Sequence, residues 1–379
     1  MKKILTSTAL VGSLVLLSAG ISNAQTTVTG NLAMSYKATS TDQSTTAAKT
    51  GNSRAFGKES QINLTHTNKL SNGMGLVAGF SLEFDGSDSS LQNSTSTSAS
   101  ISPWRGVYNE NTYIDLIAGN TTFTFGADHI QNPDNTVTNL TGIADPDDIV
   151  SGVGGNASQL YNASKNSAYQ AYQFGVQQTI PNFGKVSLAY APDATTGNAN
   201  GDTNNYGSGN AVAGYDVDES KYEIGFVGNL GIKDLTIQAF YNKEDNAGRK
   251  SYLSSAKSSD AKGMMLAGRY NLGQVALAYE HAETTTVVDI TNKSNSYGVS
   301  FAATKDITLG ANYTKTDTNR TLENSTSGVA TADEKIKTVT IGYNLGPIVV
   351  GLSYGQIDGY NGVNSANGDA IRIDTNVKF

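Results

Sequence analysis

The chain has 379 residues, 26 basic against 33 acidic side chains and a net charge of −7, which excludes a nucleic-acid partner that would need a basic footprint. It contains no cysteine, which excludes disulfides, thiolate metal sites and a lipid-modified N-terminal cysteine. Forty glycines and nineteen tyrosines beside 38% apolar residues suit no large water-soluble core.

At the N-terminus, Lys2 and Lys3 precede a mostly apolar run from Ile4 to Ala19, and Ser22-Asn23-Ala24 has the small-x-small form of a cleavage site. The expectation is a secretory signal peptide over 1–24, leaving 25–379 as one mature domain with a charge of about −9 once Lys2 and Lys3 are gone. The apolar run is short of the ~20 residues that a spanning helix needs.

Beyond Ala24 apolar and polar side chains alternate with a period of two. Sixteen strands are predicted, at 26–38, 60–70, 74–85, 110–118, 121–129, 168–180, 184–192, 220–229, 233–245, 262–271, 274–285, 295–304, 306–318, 335–344, 347–357 and 370–379. The connections alternate short and long. The short ones hold turn residues such as Ser71-Asn72-Gly73, Gly119-Asn120, Pro181-Asn182-Phe183 and Leu345-Gly346. The long ones, 39–59, 86–109, 130–167, 193–219, 246–261, 286–294, 319–334 and 358–369, are rich in Ser, Thr, Asn, Asp and Gly. Each of the six prolines falls outside these strands or at a strand's first or last residue, as suits a residue that cannot donate to a ladder. Sorted loops and an even strand count predict an all-β, transmembrane antiparallel β-barrel with short periplasmic turns and long extracellular loops.

The two faces of the strands differ. Ile307, Leu309, Ala311 and Tyr313 oppose Thr308, Gly310, Asn312 and Thr314; Ile371, Ile373, Val377 and Phe379 oppose Arg372, Asp374, Asn376 and Lys378. One face suits lipid, and a charged opposite face requires a wet interior. Aromatics mark two rims. Tyr36, Phe84, Tyr190, Tyr241, Tyr279, Tyr313 and Tyr354 are expected near the extracellular end, and Tyr270, Tyr343 and Phe379 near the periplasmic end. By parity the lumen-facing charges include Lys37, Glu83, Asp85, Asp115, Asp128, Glu223, Arg269, Glu280 and Arg372.

The final strand, "IRIDTNVKF", alternates to the last residue and must close the barrel against the first strand, because an open edge is untenable in hydrocarbon. With a leader, sixteen alternating strands and a terminal Phe379, the chain resembles the general bacterial porins of Gram-negative outer membranes. The resemblance implies that Phe379 is part of the signal read by the barrel-assembly machinery. It further implies a homotrimer among outer-membrane lipid and lipopolysaccharide, and a third long loop folded into the pore. That loop, 130–167, carries Asp134, Asp145, Asp147 and Asp148, with Lys165 its one base. The family pattern sets such carboxylates against a basic wall, for which Lys37, Arg54, Lys58 and Arg269 are the candidates. The acidic signature of enterobacterial members is absent, so Asp145-Pro146-Asp147-Asp148 stands in for it. The same carboxylates could instead belong to a solvated surface loop or hold calcium.

The reading is a passive, water-filled channel for small hydrophilic solutes and ions, with a mild cation preference and no cofactor or resident metal. A substrate-specific channel is the alternative; its expected aromatic track is thin, with only Tyr113 and Phe240 facing inward. A non-conducting adhesive barrel is a further alternative. An outer-membrane hydrolase would need a nucleophile beside a base, and His66, His129 and His281 sit in no such motif and show no metal-ligand spacing.

Overall fold

The computed structural model describes residues 24–43, 53–83, 108–127, 140–141, 149–150, 172–192, 220–245, 261–285, 291–318, 333–359 and 366–379. Sixteen strands run in chain order: β1 (Gln25–Gln43), β2 (Ser53–Lys69), β3 (Gly75–Glu83), β4 (Tyr108–Ala118), β5 (Thr121–Ala127), β6 (Tyr172–Ile180), β7 (Gly184–Ala191) and β8 (Lys221–Gly228). The second half comprises β9 (Leu235–Glu244), β10 (Ala261–Leu272), β11 (Val275–Thr285), β12 (Thr291–Ala302), β13 (Ile307–Thr318), β14 (Glu334–Asn344), β15 (Ile348–Asp358) and β16 (Ala366–Lys378). Each pairs antiparallel with its chain neighbours, and β16 also pairs with β1, which closes the barrel. The expected sixteen-stranded architecture is borne out.

The seven short turns gather at one end, hereafter the turn end. Their chemistry is local. The Asn72, Asn229 and Asn344 side chains each accept a hydrogen bond from the backbone N–H two residues on, at Met74, Gly231 and Gly346 (3.1, 3.0 and 2.9 Å). An amide that mimics a backbone carbonyl in this way makes a tight turn without help from neighbours. Between β12 and β13 Thr304 does the same work, its hydroxyl oxygen accepting from the N–H of Asp306 and of Ile307.

Closure is made by the last residue. The Phe379 N–H donates to the Gly30 carbonyl (3.0 Å) and the Gly30 N–H donates to the Phe379 carbonyl (2.8 Å). The Phe379 ring packs against Gly30, where a Cβ would come within 2.6 Å of a ring carbon. Glycine is therefore required beneath the ring.

One face of every strand turns outward and is mostly apolar between the two aromatic rims. Leu277, Val299, Ala311 and Val339 lie side by side across β11–β14 in register, on the outside. Of the predicted girdle tyrosines, Tyr190, Tyr241, Tyr270, Tyr279, Tyr343 and Tyr354 are exposed on this face, and Tyr36 and Tyr313 share it by register; Phe84 lies outside the described residues. Even-numbered strands add partners that the sequence reading omitted: Phe56 beside Tyr36, Tyr222 beside Tyr190 and Tyr297 beside Tyr279, with ring centroids 5.1–5.2 Å apart.

Several strands are longer than predicted at the loop end. β1 runs to Gln43, β2 begins at Ser53, β12 at Thr291 and β16 at Ala366. These extensions are polar, with pairs such as Ser40–Asp369 and Asp42–Asn367. Alternation is imposed by lipid, so it stops where lipid stops, while the backbone ladder continues. β3 and β4 also contain a register shift between Gly79 and Ser81, where Asn111 takes a positive φ of 50° and its amide donates to the Ser81 hydroxyl (2.8 Å).

Candidate functional site in the barrel lumen

The register sorts every strand residue into outward or inward, and the inward rows form the site. On β16, β1 and β2 the inward side chains are polar and half-buried: Asn31, Ser35, Lys37, Gln61, Asn63, Arg372 and Asp374. Lys37 and Arg372 are direct neighbours across β1 and β16. Two adjacent cations repel, and the Arg372 Nε donates to the Asp374 carboxylate at 2.7 Å on its own strand. The result is a basic pair flanked by one carboxylate, open to the lumen.

The other expected lumen charges distribute around the wall. Glu83, Asp115, Glu223 and Glu280 are inward and buried. The Thr124 hydroxyl donates to Asp115 at 2.6 Å, and the Arg269 Nε donates to Asn271 at 3.2 Å near the turn end. The wall also holds inward charges that were not singled out: Lys185 on β7, Glu334 on β14, and Lys221, which faces Glu244 across β8 and β9 at 3.1 Å. Each lies at the inward phase of its strand, so parity finds them too.

Arg54 and Lys58 are a correction. They pair with Ala38 and Met34, the outward residues of β1, so both side chains leave the barrel instead of lining it. The prediction started β2 at residue 60, and alternation was never extended back to them. His66 is also outward, its Nδ1 3.1 Å from the Thr26 hydroxyl. Asp85, Asp128, His129, Asp134, Asp145, Asp147 and Asp148 lie outside the described residues.

Four described residues of the third long connection, between β5 and β6, sit against the inner wall. Leu140 joins a buried cluster with Phe240, Met265, Ala267, Ala276, Ala278 and Ala282, all inward on β9–β11. Thr141 touches Gly310 of β13, and Ile149 and Val150 lie on Gly355 of β15. Ile336 and Ile357, directly opposed across β14 and β15, are each 1% exposed, as are Ile149 and Val150. At these four residues the connection meets apolar side chains and glycines of the inner wall. Phe240, one of the two aromatics expected to face inward, is buried in this contact and is not free to line a passage.

The wall is therefore unequal. The inward rows of β10–β15 are mostly buried, including neutral hydroxyls such as Ser294, Ser296, Thr314 and Thr340. The rows of β16, β1 and β2 remain accessible over much of their length. A closed barrel, apolar outside and polar inside, with an inward connection held to one side of its wall, is a membrane channel. Residues 6–358 match the family described as Gram-negative porin.

The chain belongs to the Gram-negative porin family. Its place is accordingly the outer membrane, as a channel former. Solved structures show the same fold at low sequence identity. The porin is similar to the anion-selective porin from Comamonas acidovorans (TM-score 0.61, 12% identity, covering 94% of this chain and 100% of that one). It is similar also to OmpT, an outer-membrane protein of Vibrio cholerae, in its trimer form (TM-score 0.53, 15% identity, 94% and 99%). A Rhodopseudomonas blastica porin triple mutant matches with TM-score 0.55 at 11% identity (94% and 100%). A search of curated protein sequences finds no match.

Proposed function

We propose that this porin is an open, water-filled channel for passive diffusion of small hydrophilic solutes and ions, trimeric in the membrane. The observation that carries the reading is the accessible polar row along β16, β1 and β2, beside a loop attached to the wall at β9–β11, β13 and β15. Sixteen strands enclose more space than side chains fill, and diffusion needs no reacting group.

We further propose a mild cation preference set by the third loop. The described wall carries both signs, so it supplies a field across the passage more than a net charge. Asp145, Asp147 and Asp148 immediately precede the anchored Ile149 in sequence and would tip the balance; Asp134 lies earlier in the same loop. A ring of like charges filters ions by sign. Lys37 and Arg372 oppose that preference, and the similar Comamonas acidovorans structure is titled anion-selective. The test is the reversal potential of the purified protein in a planar bilayer under a salt gradient. A potential of cationic sign that shrinks when Asp145, Asp147 and Asp148 become Asn supports the proposal. An anionic sign, or a potential indifferent to the substitution, overturns it.

The trimer is supported by the trimer form of the similar OmpT. Residues 1–24 fit a cleaved export leader, and the turn end fits the periplasmic side, with lipopolysaccharide around the loop end and the Phe379 strand offered to the assembly machinery.

A further inference from the structure

We propose that Gly310 and Gly355 are the residues that set the channel's open cross-section, by seating the third loop flush against the wall. This rests on the channel reading above and adds the residues that size the passage. A Cβ at Gly355 would lie 2.7 Å from Val150 Cγ1 and 2.8 Å from Ile149 Cγ2; a Cβ at Gly310 would lie 2.5 Å from Thr141 Cγ2. Side chains do not approach that closely, so any larger residue at either position pushes the loop off the wall and into the lumen. The seats also account for Ile336 and Ile357, apolar residues at inward positions of a wet barrel, each 1% exposed. They wall the second seat as Phe240 and Met265 wall the contact with Leu140. Apolar burial holds the loop down and the missing Cβ atoms let it lie close; together they leave the passage along β16, β1 and β2 at its full width.

A cysteine-free chain allows a direct test. The pair Val150→Cys and Gly355→Cys brings two Cβ atoms within the separation a disulfide requires, so mild oxidation should cross-link it within one chain. The control pair Val150→Cys and Ser187→Cys, with Ser187 inward on β7 across the barrel, should stay reduced. The oxidised first pair should conduct more than Gly355→Val does, because the bond holds the loop at the wall and Val150→Cys removes the methyl nearest the new Cβ. Gly355→Val should lower the single-channel conductance, and adding Val150→Ala should return it toward the original value. Failure of the Val150–Gly355 pair to cross-link, equal cross-linking of the control, or an unchanged conductance in Gly355→Val would each overturn the proposal. Absence of conductance in the unaltered folded protein would instead overturn the channel reading, so the two failures are distinguishable.

Discussion

Glycine 30 and Phe379 show how a single residue can carry a large structural consequence. The ring needs a neighbour without a Cβ, and the two backbones exchange both of their hydrogen bonds. Gly30→Val should therefore lower the yield of barrel refolded into lipid vesicles, read as the heat-modifiable band on a gel, and removal of Phe379 should do the same. At the lumen face, Lys37 and Arg372 are adjacent cations on the accessible wall. Replacing both by Gln should move the reversal potential toward cations, with folding untouched because neither is needed to close a turn or a seat. That Lys37 and Arg372 face inward was legible from alternation. Arg54 and Lys58 share the outward phase of Phe56, Ile62 and Leu64, a phase that a strand beginning at residue 60 does not carry back to them.

At the scale of the strand and its turn, the outer face is selected by lipid and the turns by local hydrogen bonding. Val339, 53% exposed between Ala311 of β13 and Tyr354 of β15, marks the apolar band on β14. Val339→Arg should cost about 2–4 kcal/mol if it lies at the bilayer midplane, measured by denaturant titration of folding into vesicles. Asn344→Ala should cost about 1 kcal/mol by losing the bond to the Gly346 N–H. Strand number, pairing order and the two faces were all readable because lipid imposes a period of two on each span. The polar extensions of β1, β2, β12 and β16 were not, since water on both sides leaves no such pattern. Nor was the irregularity at Gly79 and Ser81, which depends on where Asn111 can bend. The apolar seats were present in the sequence as Ile336, Ile357, Phe240 and Met265 at inward phase, a signal of contact that alternation alone treats as noise.

For the whole molecule, the essential feature is asymmetry. The inward rows of β10–β15 are mostly buried and mix apolar and hydroxyl side chains with Glu280 and Glu334, whereas the row along β16, β1 and β2 is polar, carries Lys37, Arg372 and Asp374, and is more accessible. A solute crossing the barrel would meet Ser35, Lys37, Arg372 and Asp374, and not the buried hydroxyls of β12–β14. This division places the selectivity of the channel in few residues and its stability in many, so charge substitutions on β1 and β16 should alter transport without altering folding. The measurement that tests this most directly is single-channel recording of the Ser35→Cys protein in a planar bilayer before and after a membrane-impermeant thiol reagent. The expected result is stepwise ohmic conductance that falls when the reagent is added. A folded protein that never conducts, or one whose conductance is indifferent to the label despite complete modification, would contradict it.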